Sequence, residues 1–149
     1  MTTVADHTRA DDPFQLERFV AAQNTNYDEA LAELQQGRKR THWMWYIFPQ
    51  FDGLGHSSTA RYYAIKSLAE ARAYLAHPIL GPRLLECASA VLQVSGRTAS
   101  EIFGFPDDLK LHSSATLFAA VSPADSVFSR LLQKYFKGSR DEKTSQLIG

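Results

Sequence analysis

The stretch RKRTHWMWYIFPQFDGLGHSS, residues 38–58, contains the segment around which we expect the chain to fold. Four of the six residues from Trp43 to Phe48 are aromatic, and on a helix the six would cover every side. A segment that is apolar all round has to be surrounded by other elements. Because a buried aromatic side chain covers about 150–250 Å², this segment is predicted to be the centre of the hydrophobic core.

The chain before this segment carries two runs of apolar residues at helical spacing. The first extends from Asp12 to about Gln23 and the second from about Asn26 to Gly37, so that together they predict a helical hairpin. Residues 1–11 lack such a pattern and are predicted to form a disordered tail.

The sequence after the aromatic segment contains further signals for the starts and ends of helices. Ser57 or Ser58 can cap a helix, and the capping-box spacing occurs in SLAE (67–70) and TASE (98–101). Helix ends are indicated by glycines and by the His-Pro pair at 77–78. Strand-like alternation is scarce. The sequence therefore predicts the all-α class, with residues 12–149 forming one compact domain, a bundle of about seven short helices with no significant sheet.

The composition is typical of a globular protein, with 44% hydrophobic and 21% charged residues. Sixteen basic residues balance sixteen acidic ones, so the basic excess of a non-specific nucleic-acid or anionic-membrane binder is absent. The basic run RKRT (38–41) beside tryptophans could bind a single strand, but a solvated loop explains it as well. No apolar run approaches the ~20 residues that span a bilayer, and the N-terminus does not resemble a signal peptide. We expect a cytoplasmic protein with neither membrane nor nucleic acid as partner.

Metal-binding patterns are missing from the sequence. Cys87 is the only cysteine, which excludes an intrachain disulfide and a multi-cysteine cluster. The five histidines show no i, i+4 pair of the kind that binds zinc from one helix face. We expect no metal site and no cofactor.

Polar residues stand at both ends of the aromatic segment. His42 and Gln50 could satisfy the polar tips of buried tryptophan and tyrosine, or His42 could lie at the lip of a pocket and exchange a proton. The glycines of FDGLGHSS (51–58) would let the loop backbone approach an anionic ligand closely at the start of a helix. Arg61 could add positive charge there. An ordinary turn with a serine cap is the alternative.

A second polar group lies in KLHSSAT, residues 110–116. Its lysine, histidine and hydroxyls could form a nucleophile and base set. The sequence has neither a Gly-x-Ser-x-Gly elbow nor a Ser-x-x-Lys motif, however. Hydroxyls that cap or bend a helix account for Ser113 and Ser114 equally.

Several of these segments together resemble the bacterial family known as domain of unknown function 1810. The resemblance is carried by YDEALAELQQGRKRTHWMWYIFPQFDGLGHSS (27–58), EARAYLAHPILGPRL (70–84), IFGFPDDLKLHSSATLF (102–118) and KYFKGSRDEKTSQLIG (134–149). It implies a small, mostly helical single-domain protein and supplies no catalytic residues. Members of that family are sometimes labelled calpastatin, but calpastatin-type inhibitors are long and disordered, unlike a chain with caps, breakers and a core.

Three hypotheses of function follow. The first is a binding module whose pocket beside the His-Trp-Met-Trp segment accepts a small anionic or nucleotide-like ligand. Its candidate residues are His42, Trp43, Trp45, Gln50, Gly53, Gly55, Ser57, Arg61, Lys110, Ser113 and Ser114. The second is an enzyme in the same pocket, with His42 as general acid or base and Lys110 or Ser113 as further catalytic candidates. The third is a structural or protein-interaction domain without a small-molecule site. The oligomeric state is left open by the sequence.

Overall fold

The computed structural model describes residues 12–149, so the predicted tail at 1–11 lies outside the described range. Within that range the chain forms nine helices, numbered in chain order: α1 Glu17–Gln35, α2 Met44–Ile47, α3 Ser58–Tyr62, α4 Leu68–Ala76, α5 Leu80–Leu92, α6 Ala99–Phe103, α7 Asp107–Ala120, α8 Val127–Phe136 and α9 Glu142–Ile148. Extended pairing in the described residues is confined to one isolated parallel bridge between Phe51 and Ile65. The predicted all-α bundle without significant sheet is confirmed.

The region predicted as a helical hairpin is instead one long helix with a kink. Helix α1 continues past Asn26, whose φ of −149° and ψ of 22° are not helical. The hydroxyl of Thr25 donates a hydrogen bond of 2.6 Å to the carbonyl of Ala22 just before the kink. Because no glycine or proline interrupts residues 22–28, the helix bends at this point and does not reverse.

Local capping signals predicted several helix starts correctly. Ser57 and Ser67 each accept a hydrogen bond from the backbone N–H three residues later, at the starts of α3 and α4. Thr98 and Glu101 form the complete reciprocal capping box of α6. His77, which the sequence indicated only as a stop, also caps α5, because its Nδ1 accepts from the backbone N–H groups of residues 79 and 80.

The aromatic segment is only partly the core that the sequence predicted. Trp43, Met44, Ile47 and Phe48 are buried, and the Trp43 ring packs at 6.5 Å, edge to face, against Phe103 of α6. The two residues between them, at 45 and 46, are half-buried. This side of the segment therefore reaches the surface.

The bundle is closed by packing of α1 on α5, of α5 on α8 and of α8 on α7. A close approach joins the start of α5 to the end of α4, where a Cβ on Gly81 would lie 2.1 Å from the carbonyl oxygen of Leu75. A buried ion pair of 2.8 Å ties Arg18 of α1 to Glu70 of α4. In residues 12–149, none of the helices combines the length and apolar character needed to cross a bilayer.

Candidate functional site

The loop between α1 and α2 is organised by one buried carboxylate. The Glu33 side chain accepts four hydrogen bonds: from the backbone N–H groups of Arg40 and Thr41, from the Thr41 hydroxyl and from the indole N–H of Trp43. Burial alone would raise the pKa of this carboxyl, but the hydrogen bonds outweigh it and hold the pKa below its ordinary value. Glu33 is therefore a carboxylate at neutral pH, and it fixes the course of residues 40–43.

A second carboxylate joins this loop to the first turn of α7. Asp107 lies 2.9 Å from the ammonium of Lys39 and 3.3 Å from the ammonium of Lys110. The Lys39 side chain is only 6% exposed, and its ammonium also lies 4.9 Å from the centre of the Trp43 ring. Two cations thus share one carboxylate at the point where the loop meets α7.

Lys110 and Trp45 form the exposed part of this cluster. The ammonium of Lys110 lies 5.1 Å from the centre of the Trp45 ring, within the range of a cation–π contact. Trp45 is half-buried, and the Lys110 side chain keeps 25% of its surface exposed. His42 stands three residues before Trp45 and is exposed. We refer to Trp45, Lys110 and Asp107 as the Trp45–Lys110 site.

The glycine loop makes turns that connect α2 to α3. The carbonyl of Gln50 accepts a hydrogen bond from the N–H of Ile65 at 2.9 Å, which closes the loop at its base. Gly53 has a φ of +102°, a conformation that favours glycine, and lies against Leu147 of α9. Gly55 lies so near Ala60 that a Cβ would be 2.6 Å from its methyl group.

The residues that follow Gly55 belong to the start of α3. Ser57 is its N-cap, and Arg61 is exposed on its last turn. A helix of five residues offers little dipole to an anion. The contacts of this segment are those of an ordinary capped turn.

One of the two serines of α7 has structural partners, and the other is buried. Ser113 donates to the carbonyl of Leu109 at 3.1 Å and lies 3.4 Å from the carboxylate of Asp141, the N-cap of α9. Ser114 is 1% exposed. His112 lies 4.1 Å from Phe136 in a stacked arrangement, and its Nε2 is 2.8 Å from the carbonyl of residue 139. Ser113 and His112 therefore have separate partners, and Ser114 is enclosed by the fold.

Comparison with known proteins places the chain in a family. The model of a family described as "Protein of unknown function (DUF1810)" matches residues 13–148. The chain belongs to this family.

The DUF1810 fold is also seen in a solved structure, the crystal structure of the conserved hypothetical protein Rv1873 from Mycobacterium tuberculosis. The two chains are 55% identical and superpose with a TM-score of 0.90, over 92% of this chain and 98% of that one. No curated protein matched the sequence. The fold is thus shared with a close relative that is described as a conserved hypothetical protein.

In this DUF1810 chain, the predicted site residues fall into three groups. Trp45 and Lys110 meet at the surface, where the Lys110 ammonium lies over the Trp45 ring, and His42 is exposed three residues before Trp45. A second group is buried or held by structural bonds: Trp43, Ser113 and Ser114. The third group belongs to the loop closed by Ile65: Gln50, Gly53, Gly55, Ser57 and Arg61.

Sequence reasoning missed Lys39 and Glu33, which hold the loop beside the Trp45–Lys110 site. Glu33 belongs to the end of a helix and Lys39 to a basic loop, and no local pattern marks a glutamate whose hydrogen-bond partners follow seven to ten residues later. Asp107 stands just before the KLHSSAT motif in an acidic helix start, and its pairing with Lys39 is a tertiary contact. Among the described residues, no group of three or more His, Cys, Asp or Glu side chains is arranged to hold a metal.

Proposed function

We propose that this protein binds a small anionic ligand with a flat apolar part, such as a nucleotide, at the Trp45–Lys110 site. The observation that supports the proposal is the contact of 5.1 Å between the Lys110 ammonium and the Trp45 ring. It puts a cation and a partly exposed aromatic surface side by side. An anionic group would bind the ammonium, and the flat part would pack on the ring.

The surrounding charges favour an anion at this position. Lys39 and Lys110 share the single carboxylate of Asp107, so that each ammonium is only partly neutralised by it. The exposed Arg38 and Arg40 lie in the same loop and raise the local potential further. His42 is exposed two residues after Arg40 in the chain and can donate a hydrogen bond.

The enzymatic alternative receives less support from the contacts. A nucleophile needs a base within hydrogen-bond reach. The hydroxyl of Ser113 is engaged with Leu109 and Asp141, and among the described residues no hydrogen bond joins the His42 ring to Ser113 or Lys110. Binding without turnover is therefore the function that we propose.

Isothermal titration of the full chain with AMP, ADP, adenosine, phosphate and pyrophosphate tests the proposal. We expect a nucleotide to bind at least about tenfold more tightly than adenosine or phosphate alone, since only the nucleotide presents both parts. Lys110→Gln and Trp45→Leu should each weaken that binding by about tenfold or more.

Lys143→Gln, which removes an exposed lysine from α9, is the matched control. It should bind as the unaltered chain does. Equal affinities for the Lys110 and Lys143 variants, or the absence of binding by every member of the panel, would contradict the proposal.

A further inference from the structure

The kink of α1 opens a cleft against α5. Its volume is about 370 Å³, and it is lined by residues 23–29 of α1 and by Arg83 of α5. That volume lies within the range of small-molecule sites, about 300–1,000 Å³. The lining is rich in polar groups, so an apolar occupant would leave these groups without partners.

Arg83 is held in the cleft by neutral groups. Its Nη1 lies 3.2 Å from the side-chain carbonyl of Asn24 and 3.4 Å from that of Gln23. Its guanidinium carbon stands 4.9 Å from the centre of the Tyr27 ring. Among the ion pairs of the described residues none includes Arg83. A guanidinium that is half-buried and paired only with dipoles is suited to a carboxylate, which it can bind through two parallel hydrogen bonds.

Tyr27 keeps this wall of the cleft in place. Its hydroxyl donates to the carboxylate of Glu86 and lies 3.3 Å from the carbonyl of Arg83. Burial, followed by the hydrogen bond to Glu86, raises the pKa of Tyr27 far above its ordinary value. The ring is therefore neutral and fixed beneath the guanidinium.

Other residues that line the cleft carry negative charge and an unmet acceptor. Asp28 and Glu29 are exposed just after the kink. The side-chain Oδ1 of Asn26 is buried and accepts no hydrogen bond from the described residues, whereas its Nδ2 donates to the Tyr46 hydroxyl at 2.8 Å. Buried acceptors without a donor are uncommon in native proteins. Asn26 also lines the cleft, so a bound ligand that carries a donor would supply the bond that this oxygen lacks.

We propose that the cleft binds a small zwitterion of the α-amino acid class. The carboxylate lies on the Arg83 guanidinium, and the ammonium lies toward Asp28, Glu29 and the carbonyl oxygen of Asn26. One positive and two negative side chains line this one cleft, and their charges complement the two ends of such a molecule. This site is independent of the Trp45–Lys110 site and does not rest on its ligand.

Ligand-observed NMR and isothermal titration of the full chain with the twenty common L-amino acids test the proposal. For each amino acid that binds, the matching amine without the carboxylate and the matching acid without the amine are measured as well. We expect at least one amino acid to bind and both truncated compounds to bind at least about tenfold more weakly. The proposal would be overturned if none of the twenty amino acids bound at millimolar concentration. It would also be overturned if a truncated compound bound as tightly as its parent amino acid.

Variants separate this site from the first one. Arg83→Gln should weaken the binding by about tenfold or more, while Arg72→Gln, an exposed arginine of α4, and Lys110→Gln should leave it unchanged. Equal binding by the Arg83 and Arg72 variants would sink the proposal.

A measurement on the unaltered chain covers the case in which Arg83→Gln fails to fold. In ¹H–¹⁵N spectra, the amino acid should shift the backbone signals of residues 23–29 and the side-chain amide of Asn26. Shifts confined to other parts of the chain would overturn the proposal.

Discussion

The indole N–H of Trp43 donates a hydrogen bond of 2.9 Å to the carboxylate of Glu33, ten residues earlier in the chain. Both side chains are buried, at 0% and 6% exposure. The same carboxylate binds the backbone of Arg40 and Thr41. The Glu33 side chain thus attaches residues 40–43 of the basic loop to α1, in addition to the backbone bond from Arg38 to the Glu33 carbonyl, so a substitution of Glu33 perturbs the loop directly.

Glu33→Gln is expected to lower the free energy of unfolding by about 2–4 kcal/mol, because an amide presents an N–H group to neighbours that are all donors. Urea unfolding followed by circular dichroism measures the change. Glu29→Gln, the same substitution at an exposed position of α1, should change it by less than about 0.5 kcal/mol. A Glu33 variant as stable as the Glu29 variant would contradict the role given to this carboxylate.

The stability of the protein should depend on pH through Glu33. Its pKa in the folded chain lies below the ordinary value of 4.5, so the folded state binds this proton less readily than the unfolded state does. The stabilisation is complete above that value and is lost as the pH falls through it toward the folded pKa. Urea unfolding at several pH values between about 3 and 6 should show that the free energy of unfolding falls more steeply with decreasing pH for the unaltered chain than for Glu33→Gln. Parallel curves would argue against the lowered pKa.

Gly81→Ala should destabilise the protein, although glycine to alanine within a helix ordinarily stabilises by about 1 kcal/mol. The reversal follows from the carbonyl of Leu75, which would lie 2.1 Å from the new Cβ. We expect a loss of about 3 kcal/mol or more, or failure to fold. Thermal unfolding measures it.

Gly96→Ala serves as the comparison for this substitution. Gly96 has a φ of +73° and no atom within 4 Å of an added Cβ, so its cost should be limited to about 1 kcal/mol of backbone strain. A stabilised Gly81 variant would show that α4 and α5 approach less closely than described.

Cys87 should be unreactive in the native protein. Burial raises the pKa of its thiol to about 12, and the side chain is 0% exposed. Ellman's reagent at pH 8 should therefore release almost no colour until the chain unfolds, and one equivalent in guanidinium chloride. Because the chain has a single cysteine, the signal reports this site alone, and rapid native reaction would contradict its burial.

Helix starts could be predicted from the sequence because capping is local. Thr98 and Glu101 are three residues apart, so their capping box depends on the local backbone and not on tertiary contacts. The kink at Asn26 could not be predicted in the same way. Gln23 binds the Tyr46 carbonyl and the Tyr74 hydroxyl, and Tyr27 binds Glu86 of α5. These distant partners keep both halves of α1 against the bundle, where local pattern alone suggested a reversal.

The candidate site was located only roughly for the same reason. Trp43 and Trp45 have similar sequence surroundings, yet Trp43 lies against Glu33 and Trp45 lies beneath Lys110. Glu33 and Lys110 are far apart in the chain. The hydroxyls of KLHSSAT suggested chemistry, but the N-cap of α9 lies beside Ser113. Residue types indicated a polar cluster, and only tertiary contacts decide which members share a surface.

The different surroundings of the two tryptophans give the protein two separate fluorescent reporters. Trp43 packs against the rings of Phe48 and Phe103 and has no surface in contact with water, so its emission is expected at short wavelength. Trp45 is partly in water beside a lysine and should emit at longer wavelength and be accessible to iodide. In a chain with Trp45→Phe the remaining tryptophan therefore reports on the interior, whereas in a chain with Trp43→Phe the remaining tryptophan reports on the surface.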